Sequence, residues 1–317
     1  MVEWFLGALG IVAALCIALC LLALYGVESW TRPARARPRD HPHRYGLPCE
    51  EVEFTSRDGV RLHGWLIDGS SAGRGDDAKR TVGKSAIIFC HGHGGDKSPD
   101  VVYAPWFHER GIPVLMFDFR NHGLSDGVLT SMGYYERYDL LGAIDYLASR
   151  GYTRVGLYGF SMGGATAMAT APLSPHVVCV VSDSGFAQLR PTLAHALRRR
   201  LLSERFANRF MSVIWRLAER RLRCDLDEAE PLRAVQQFGN RALFIILGTR
   251  DKYVETWQAH ALHEKASGPK ELWVVPKGEH AAIARQHPEE YRARVLGFFE
   301  RHLALELSRK SAENAMV

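Results

Sequence analysis

The sequence contains few cysteines, and their arrangement matches no metal or disulfide motif. Six cysteines occur in 317 residues, and none lies in a Cys-X-X-Cys pair or at a Cys/His spacing typical of zinc sites. Cys90 and Cys179 lie in strand-like apolar runs, where a thiol usually acts as a small buried hydrophobic group. The pattern argues against a disulfide framework and favours a reducing compartment. We therefore predict no metal site and no cofactor.

Charge is also missing from the first part of the chain. Residues 4–27 carry no charged side chain, and as a helix they would span about 36 Å, against roughly 30 Å for the hydrocarbon core of a bilayer. Trp4, Tyr25 and Trp30 are positioned like interfacial anchors. A cleaved signal peptide fits less well, because the residues before the run include Glu3 and contain no Lys or Arg. The sequence predicts a transmembrane anchor at 4–27 and a single-pass membrane protein.

Positive charge follows this run and none precedes it. Arg32, Arg35, Arg37 and Arg39 lie in an Arg/Pro-rich linker at 28–48, so the positive-inside rule predicts a cytoplasmic C-terminal domain. The net charge is only +5, and no basic motif interleaved with aromatic residues is present. We therefore expect the membrane as a partner, and we do not expect nucleic acid.

From residue 49 onward, strand and helix signals alternate, as they do in an α/β fold with a mostly parallel sheet and helices on both faces. We predict this domain at 49–308 and a C-terminal tail at 309–317. The expected strands are 52–56, 61–67, 85–90, 113–117, 155–158, 177–182, 242–247 and 271–275, and the expected helices are 100–110, 134–149, 162–171, 253–265 and 288–305.

One stretch interrupts the alternation. Residues 186–223 carry ten arginines against two acidic residues, and apolar side chains recur there at helical spacing. We predict a helical cap inserted at about 186–235. Two interpretations of its charge stay open: a solvated lid with a buried apolar stripe, or a basic amphipathic surface that rests on anionic lipid.

The motif Gly159-Phe160-Ser161-Met162-Gly163 follows one predicted strand and opens the next predicted helix. Glycines on both sides of a serine leave room for a sharp strand-to-helix turn that exposes the hydroxyl group. The N-terminus of the helix favours negative charge beside it. Because a serine hydroxyl is a poor nucleophile without a base, Ser161 requires a histidine from elsewhere in the chain.

Two further strand ends supply that base and an acid. Asp251 follows the strand at 242–247, and His280 follows the strand at 271–275. The carboxyl ends of parallel strands meet at one edge of a sheet, so we expect both side chains to reach Ser161 there. Ser161 would be the nucleophile, His280 the base and Asp251 its orienting acid, with Asp183 and Asp227 as alternative acids.

A glycine-rich turn, His91-Gly92-His93-Gly94-Gly95, follows the strand at 85–90. Such a turn directs backbone N–H groups towards a ligand, and we predict an oxyanion hole made by the backbone N–H groups of His93 and Met162. His91 and His93 also have a metal-like spacing, but no third ligand is evident in the sequence.

Together these motifs resemble the α/β-hydrolase superfamily. The resemblance is carried by HGHGG at 91–95, DFRNHGLSDG at 118–127, GFSMGG at 159–164, GTRD at 248–251 and GEH at 278–280, and it covers about residues 50–305. The chain order Ser, Asp, His is that of this fold. The resemblance implies the roles given above for the three residues and a mainly structural role for 118–127. Within the superfamily, the chain is similar to membrane-anchored serine hydrolases of the serine aminopeptidase-like or lipase-like group.

The expected activity is hydrolysis of a carboxylic ester or thioester through an acyl-enzyme at Ser161. A lipid-derived compound is one candidate substrate. An acyltransferase or a serine peptidase would use the same residues, and a fold does not decide between these activities. A non-catalytic binding protein on the same fold is a remote alternative, because it would not need the complete set of three residues.

Overall fold

Eight strands form one sheet in the computed structural model, which describes residues 1–69, 85–199 and 203–303. The strands are β1 (Cys49–Thr55), β2 (Arg61–Ile67), β3 (Ser85–Cys90), β4 (Val114–Phe117), β5 (Arg154–Phe160), β6 (Val177–Asp183), β7 (Ala242–Gly248) and β8 (Lys270–Val275). Their spatial order is β1-β2-β4-β3-β5-β6-β7-β8. β2 pairs antiparallel with β1 and β4, and every pairing from β4 to β8 is parallel, which confirms the predicted mostly parallel sheet. The predicted tail at 309–317 lies outside the described residues.

Helices follow most of the strands. They are α1 (Val2–Thr31), α2 (Ala104–His108), α3 (Glu136–Ser149), α4 (Met162–Thr170), α5 (Leu189–Arg198), α6 (Glu204–Leu222), α7 (Pro231–Ala234), α8 (Thr256–Lys265), α9 (Ile283–Gln286) and α10 (Pro288–Leu303). Short 3₁₀ turns cover Pro42–Tyr45, Pro99–Tyr103, Ala171–Leu173, Leu226–Ala229 and Val235–Gln237.

Alternate residues of each central strand enter two separate cores, one on each face of the sheet. In β5, Val155 and Leu157 pack in the core that α3 and α4 cover. Tyr158 and Phe160 pack in the other core, with aromatic residues of α2 and α10. The predicted helical layers on both faces are therefore confirmed.

The helix predicted at 100–110 is broken into two pieces. A 3₁₀ turn covers Pro99–Tyr103, and α2 covers Ala104–His108. Pro105 has no backbone N–H to donate to the carbonyl four residues earlier, so a regular α-helix cannot continue through this point. The short α2 leaves Asp100 and Tyr103 on a turn beside the carboxyl ends of the strands.

The predicted transmembrane anchor at 4–27 is not supported. Among the described residues, no helix combines the length and the apolar character needed to cross a membrane. The predicted single-pass topology and cytoplasmic orientation therefore lack structural support as well. The C-terminal end of α1 is covered by protein instead: Ala23, Val27 and Thr31 recur every four residues and are buried, and Glu28 pairs with Arg221 of α6 at 3.2 Å.

The segment predicted as a linker follows the surface of the α/β domain. The Arg32 Nε–H group donates to the Val128 carbonyl at 3.3 Å, and an Arg35 guanidinium N–H group donates to the Ser125 carbonyl at 2.9 Å. The Arg39 backbone N–H group donates to Ser98 Oγ at 3.0 Å. These contacts fix the end of α1 close to the turns that follow β3 and β4.

The helical insertion between β6 and β7 is present and consists of α5, α6 and α7. Ser203 caps α6, since its Oγ accepts from the Phe206 N–H group at 3.3 Å. Phe210, Ile214 and Ala218 form the buried face of α6. Several arginines occupy the outward face: Arg205, Arg209, Arg216 and Arg220. The cap is thus an amphipathic layer over the carboxyl edge of the sheet.

Candidate active site

Ser161 lies on the turn between β5 and α4 in a strained backbone conformation. Its φ is 51° and its ψ is −116°, which is unfavourable for a residue with a side chain. The Ser161 N–H group donates to the Asp183 carbonyl at 2.8 Å, and the Ser161 carbonyl accepts from the Ala165 N–H group at 3.0 Å. β6 and α4 together therefore hold the strained turn that carries the hydroxyl group.

The glycines of this motif are required by close backbone contacts. A Cβ atom at Gly159 would lie 2.5 Å from the carbonyl carbon of Gly163. A Cβ atom at Gly163 would lie 1.9 Å from the carbonyl oxygen of Cys90 at the end of β3. The turn can therefore be as sharp as it is only because these two positions lack side chains.

Asp251 follows β7 and is held by the turn it starts. Its Oδ1 atom accepts from the backbone N–H groups of Tyr253 at 2.8 Å and Val254 at 3.0 Å. Its side chain is fully buried. The second oxygen, Oδ2, is left free for a different partner, so the turn orients the carboxylate as well as shielding it from water.

His280 joins that carboxylate to Ser161. Its Nδ1 atom lies 2.7 Å from Asp251 Oδ2, and its Nε2 atom lies 2.9 Å from Ser161 Oγ. These contacts are satisfied together when Nδ1 carries the proton and Nε2 accepts from the hydroxyl group. The ring of Tyr253 packs edge-on against the imidazole with centroids 4.8 Å apart. The structure thus brings together the three residues that the sequence predicts for this site.

The two alternative acids lie elsewhere. Asp183 accepts from the hydroxyl groups of Tyr291 and Ser184, each at 2.8 Å, and burial raises its pKa to about 6. Asp227 belongs to a 3₁₀ turn of the cap, and among the described residues it is Asp251 that contacts His280 Nδ1. Asp183 supports the site indirectly, because the Ser184 hydroxyl that donates to it also accepts from the N–H group of Ala281, the residue after His280.

The loop after β3 lies directly over Ser161. A Cβ atom at Gly92 would lie 3.6 Å from Ser161 Cβ, so the loop backbone and the serine are in contact. Met162 opens α4, and within the described residues neither its N–H group nor that of His93 donates to a backbone carbonyl. Two backbone donors beside the serine hydroxyl are the elements that an oxyanion hole requires.

Three histidines, of which His91 and His122 are buried and His93 is half-buried, hold this loop in place. His91 Nδ1 lies 2.8 Å from the Gly92 carbonyl, and His91 Nε2 accepts from the Phe119 N–H group at 3.0 Å. His122 Nε2 accepts from the Gly94 N–H group at 3.1 Å. His93 Nε2 lies 2.7 Å from the carbonyl of Trp30, at the end of α1. His91 and His93, which have a metal-like spacing in the sequence, therefore use their ring nitrogens for hydrogen bonds to the backbone.

Burial keeps these rings neutral. Desolvation lowers the pKa of His91 and of His93, and it lowers the pKa of His122 to about 3. A neutral imidazole can donate from one nitrogen and accept at the other, which is what the loop contacts use.

A cavity of about 600 Å³ opens onto Ser161 and His280. Its walls are partly aromatic: Tyr103 stacks on Phe160 with centroids 5.5 Å apart, and Trp30 contributes from α1. Asp100 also lines the cavity, and burial, with the nearby carboxylates Asp96 and Asp183, raises its pKa to about 8. At neutral pH the group is therefore mostly a neutral carboxylic acid.

Three residues near the site were not identified by sequence patterns. Trp30 and Asp100 line the cavity from distant or irregular segments. Glu136 is fully buried and accepts from Thr130 Oγ1 at 2.7 Å and Ser131 Oγ at 2.6 Å. Burial alone would raise the pKa of Glu136, but Arg120 and these hydrogen bonds lower it overall. Glu136 lies in the first turn of α3 together with Asp139, a usual position for acidic residues, so its sequence context gives no signal of this role.

Comparison with known proteins agrees with this architecture. The model of the alpha/beta hydrolase family matches residues 87–294. The chain is 31% identical over 261 residues to the uncharacterized protein YfhR of Escherichia coli O157:H7, covering 79% of this chain and 80% of YfhR. It is 31% identical over 141 residues to the thiohydrolase aneE of Aspergillus aculeatus, covering 42% of this chain and 40% of aneE.

A solved structure extends the match to three dimensions. The esterase Pf2001 of Pyrococcus furiosus matches with a TM-score of 0.69 and 26% identity, covering 86% of this chain and 98% of the esterase. The superfamily predicted from the five motifs is therefore confirmed, whereas the membrane-anchored subgroup is not shown by these matches. The chain belongs to the alpha/beta hydrolase family and is a hydrolase.

Proposed function

We propose that the enzyme is a serine esterase that cleaves a carboxylic ester through an acyl-enzyme at Ser161. The observation that carries this proposal is the continuous chain of contacts from Ser161 Oγ through His280 to Asp251, at 2.9 and 2.7 Å. The similarity to the Pyrococcus furiosus esterase supports the same reaction class.

The reaction begins when Ser161 Oγ attacks the ester carbonyl and His280 Nε2 takes the hydroxyl proton. Asp251 stabilises the imidazolium ion that forms. The N–H groups of His93 and Met162 stabilise the negative oxygen, and loss of one such donor costs roughly 10²–10³ in kcat. His280 then gives its proton to the leaving alcohol. A water molecule, activated by the same base, attacks the acyl-enzyme, and the carboxylic acid leaves.

Covalent labelling and kinetics test this proposal together. A fluorophosphonate probe should label the wild-type protein at Ser161, and Ser161→Ala should lose labelling and roughly 10⁵–10⁶ in kcat for an aryl ester. Ser149→Ala, at an exposed serine whose hydroxyl donates to the Tyr146 carbonyl, is the matched control and should keep both. Full esterase activity in Ser161→Ala, or no labelling of the wild type, would show that the proposal is wrong.

A thioester is the second candidate substrate, and the similarity to the thiohydrolase aneE favours it. The same residues would act, with a thiol as the leaving group. Matched oxygen and sulfur esters of one acyl chain distinguish the two, because they give the same acyl-enzyme. A higher kcat/KM for the sulfur ester at equal deacylation rate would favour the thioesterase. Acyl transfer and peptide cleavage would appear as a transferred acyl product or a cleaved amide in the same assay.

We also propose that the outward face of α6 contacts anionic lipid. Arg209 and Arg216 alternate there with the exposed side chains of Phe206 and Val213. The exposed ring of Tyr25 in α1 lies beside the same face. Apolar side chains together with arginines favour the surface of a negatively charged bilayer.

Vesicle flotation of the full-length protein tests this contact. Binding should be stronger to vesicles with anionic lipid than to neutral vesicles, and the double variant Arg209→Glu/Arg216→Glu should lose the difference. Equal binding to both kinds of vesicle would count against a role for these arginines.

A further inference from the structure

A group of side chains that can bind a metal lies where the segment before β1 meets the first residue of that strand. His41 and His43 come from the segment before β1, and Cys49 is the first residue of β1. In the part of the chain that the structure describes, one ligand atom of each lies within 4.8 Å of the other two. β1 is an edge strand, four positions from β5 in the sheet, which corresponds to about 19 Å. The group is therefore separate from the catalytic cavity.

A short 3₁₀ turn brings the two histidines together. His41 precedes the turn Pro42–Tyr45, and the His43 backbone N–H group lies 3.3 Å from His41 Nδ1. The two rings have centroids 4.6 Å apart. Gly46, with a φ of 66°, then turns the chain back so that β1 starts beside them. Local backbone geometry thus positions two imidazoles next to a thiol.

A carboxylate completes the group. Residues two apart in a strand point to the same face, so Glu51 lies on the face of β1 that carries Cys49. Glu51 Oε1 is 3.6 Å from His41 Nε2. Since Nε2 faces this carboxylate, Nδ1 is the nitrogen that would bind a metal, and its 3.3 Å contact with the His43 N–H group would be given up for that bond. A carboxylate beside the outer nitrogen of a ligating histidine fixes the orientation of the ring and raises its basicity.

We propose that His41, His43 and Cys49 form a zinc site, with a water molecule as the fourth ligand and Glu51 orienting His41. Thiolate and imidazole groups are the ligands that zinc prefers, and zinc binds them at about 2.0–2.3 Å in tetrahedral geometry. Ligand atoms in such a site are about 3.5 Å apart, so side-chain rotation is enough to close the observed group. Binding takes the Cys49 sulfur as a thiolate, and its proton goes to solvent.

Zinc at this position joins the segment before β1 to the edge of the sheet. Because a ligand that binds the folded state preferentially stabilises it, bound zinc raises the unfolding temperature. The distance from Ser161 means that ester hydrolysis is unchanged by it. The site therefore has a structural role, and its test does not depend on the proposed esterase activity.

Cobalt substitution in the full-length protein tests the site. Co²⁺ added to chelator-treated protein should give a thiolate charge-transfer band and the intense visible bands of tetrahedral coordination, saturating at one equivalent and disappearing when Zn²⁺ is added. Cys49→Ser should remove the charge-transfer band. Glu51→Gln should weaken Co²⁺ binding by about 10-fold or more. Cys224→Ser, at a half-buried free thiol in another part of the molecule, is the matched control and should leave the spectrum unchanged.

The proposal is overturned if the wild-type protein shows no thiolate band, or if the band survives in Cys49→Ser. His43→Asn provides an independent test of the site, because His43 is exposed and its replacement should not disturb folding. Circular dichroism confirms that each variant is folded. A folded His43→Asn protein with wild-type Co²⁺ affinity also rules out the site.

Discussion

At the scale of single residues, one carboxyl group illustrates how the site is organised. Asp251 uses one oxygen to accept two backbone N–H groups and the other to accept from His280. A replacement of Asp251 can therefore remove the orientation of His280 without removing the hydrogen bonds that stabilise the turn. Asp183, which is equally buried, makes no such contact with His280 and offers a comparison within the same site.

Asp251→Asn should lower kcat for ester hydrolysis by about 10⁴ while leaving the fold intact. The amide oxygen can still accept from the turn, but the amide cannot stabilise the imidazolium ion or favour the required tautomer of His280. Steady-state kinetics of Asp251→Asn and Asp183→Asn make the comparison, with Asp183→Asn expected to lose much less. Similar losses in the two variants would mean that Asp251 is not the orienting acid.

Asp100 should introduce a pH dependence into the catalytic cavity. Its pKa of about 8 means that the carboxyl group is neutral below this pH and ionised above it. A negative charge in the cavity opposes the negative oxygen of the intermediate, so kcat/KM of the wild-type enzyme should fall as pH rises through about 8. Asp100→Asn should remove this alkaline fall, whereas Asp145→Asn, at an exposed position, should retain it.

The same residue should affect stability with a defined sign. The folded-state pKa of Asp100 lies above the ordinary value near 4, so the folded state binds its proton more tightly than the unfolded chain. The contribution of Asp100 to the stability of the folded state is least unfavourable below pH 4 and becomes more unfavourable as pH rises towards 8. In urea unfolding, Asp100→Asn should therefore gain stability relative to the wild type at pH 9 compared with pH 5. An identical fall of kcat/KM at alkaline pH in the wild type and in Asp100→Asn would contradict this titration of Asp100.

At the scale of secondary-structure elements, the end of α1 is part of the catalytic region. Trp30 has the position of an interfacial anchor in the sequence, yet it lines the cavity and its carbonyl faces His93 Nε2 at 2.7 Å. The contact connects an N-terminal helix to the loop that carries a proposed oxyanion donor. α1 therefore positions the site from a distance of 63 residues in sequence.

His93→Leu should lower kcat by roughly 10-fold with little change in KM. Its backbone N–H group remains, so the loss should be smaller than the 10²–10³ expected when a donor is removed outright. His93→Gln can still donate to the Trp30 carbonyl and should recover part of the activity. His176→Leu, which removes another contact between a ring nitrogen and a backbone carbonyl, serves as the control. An equal loss in His93→Gln and His93→Leu would show that the contact with α1 does not matter.

At the scale of the whole molecule, buried charges fix the turns beneath the site. Lys97 Nζ lies 2.5 Å from Asp118 Oδ2, and both side chains are inaccessible to solvent. Asp118 also accepts from the Leu124 N–H group at 2.9 Å, which closes the turn after β4. The resemblance implied a structural role for residues 118–127, and these contacts describe how such a role is carried out.

Lys97→Ala should lower the free energy of unfolding by about 3–5 kcal/mol, because it leaves Asp118 buried without its partner. Urea denaturation at neutral pH measures the change. Arg294→Ala removes an exposed ion pair with Glu290 and should cost no more than about 1 kcal/mol. A similar small cost for Lys97→Ala would mean that the buried pair adds little to stability.

The sequence predicts the three residues of the proposed mechanism better than their surroundings. Ser161, Asp251 and His280 each follow a strand, and strand ends are recognisable from local apolar patterns and turn residues. Trp30 reaches the cavity through the packing of α1, which depends on contacts distant in sequence. Asp100 reaches it through the break at Pro105, which the proline itself could have indicated. The apolar run at 4–27 predicted a membrane anchor because composition alone does not reveal that Ala23 and Val27, at its end, pack in the core that also contains Ile214 of α6.

The contact between Ser161 and His280 spans 119 residues of the chain. During synthesis, Ser161 leaves the ribosome long before His280, so under the proposed mechanism an emerging chain cannot react until β8 has joined the sheet. Reactivity of Ser161 towards a covalent probe therefore reports completed folding of the C-terminal strands. A pulse of such a probe during translation or refolding would follow the appearance of finished molecules in real time.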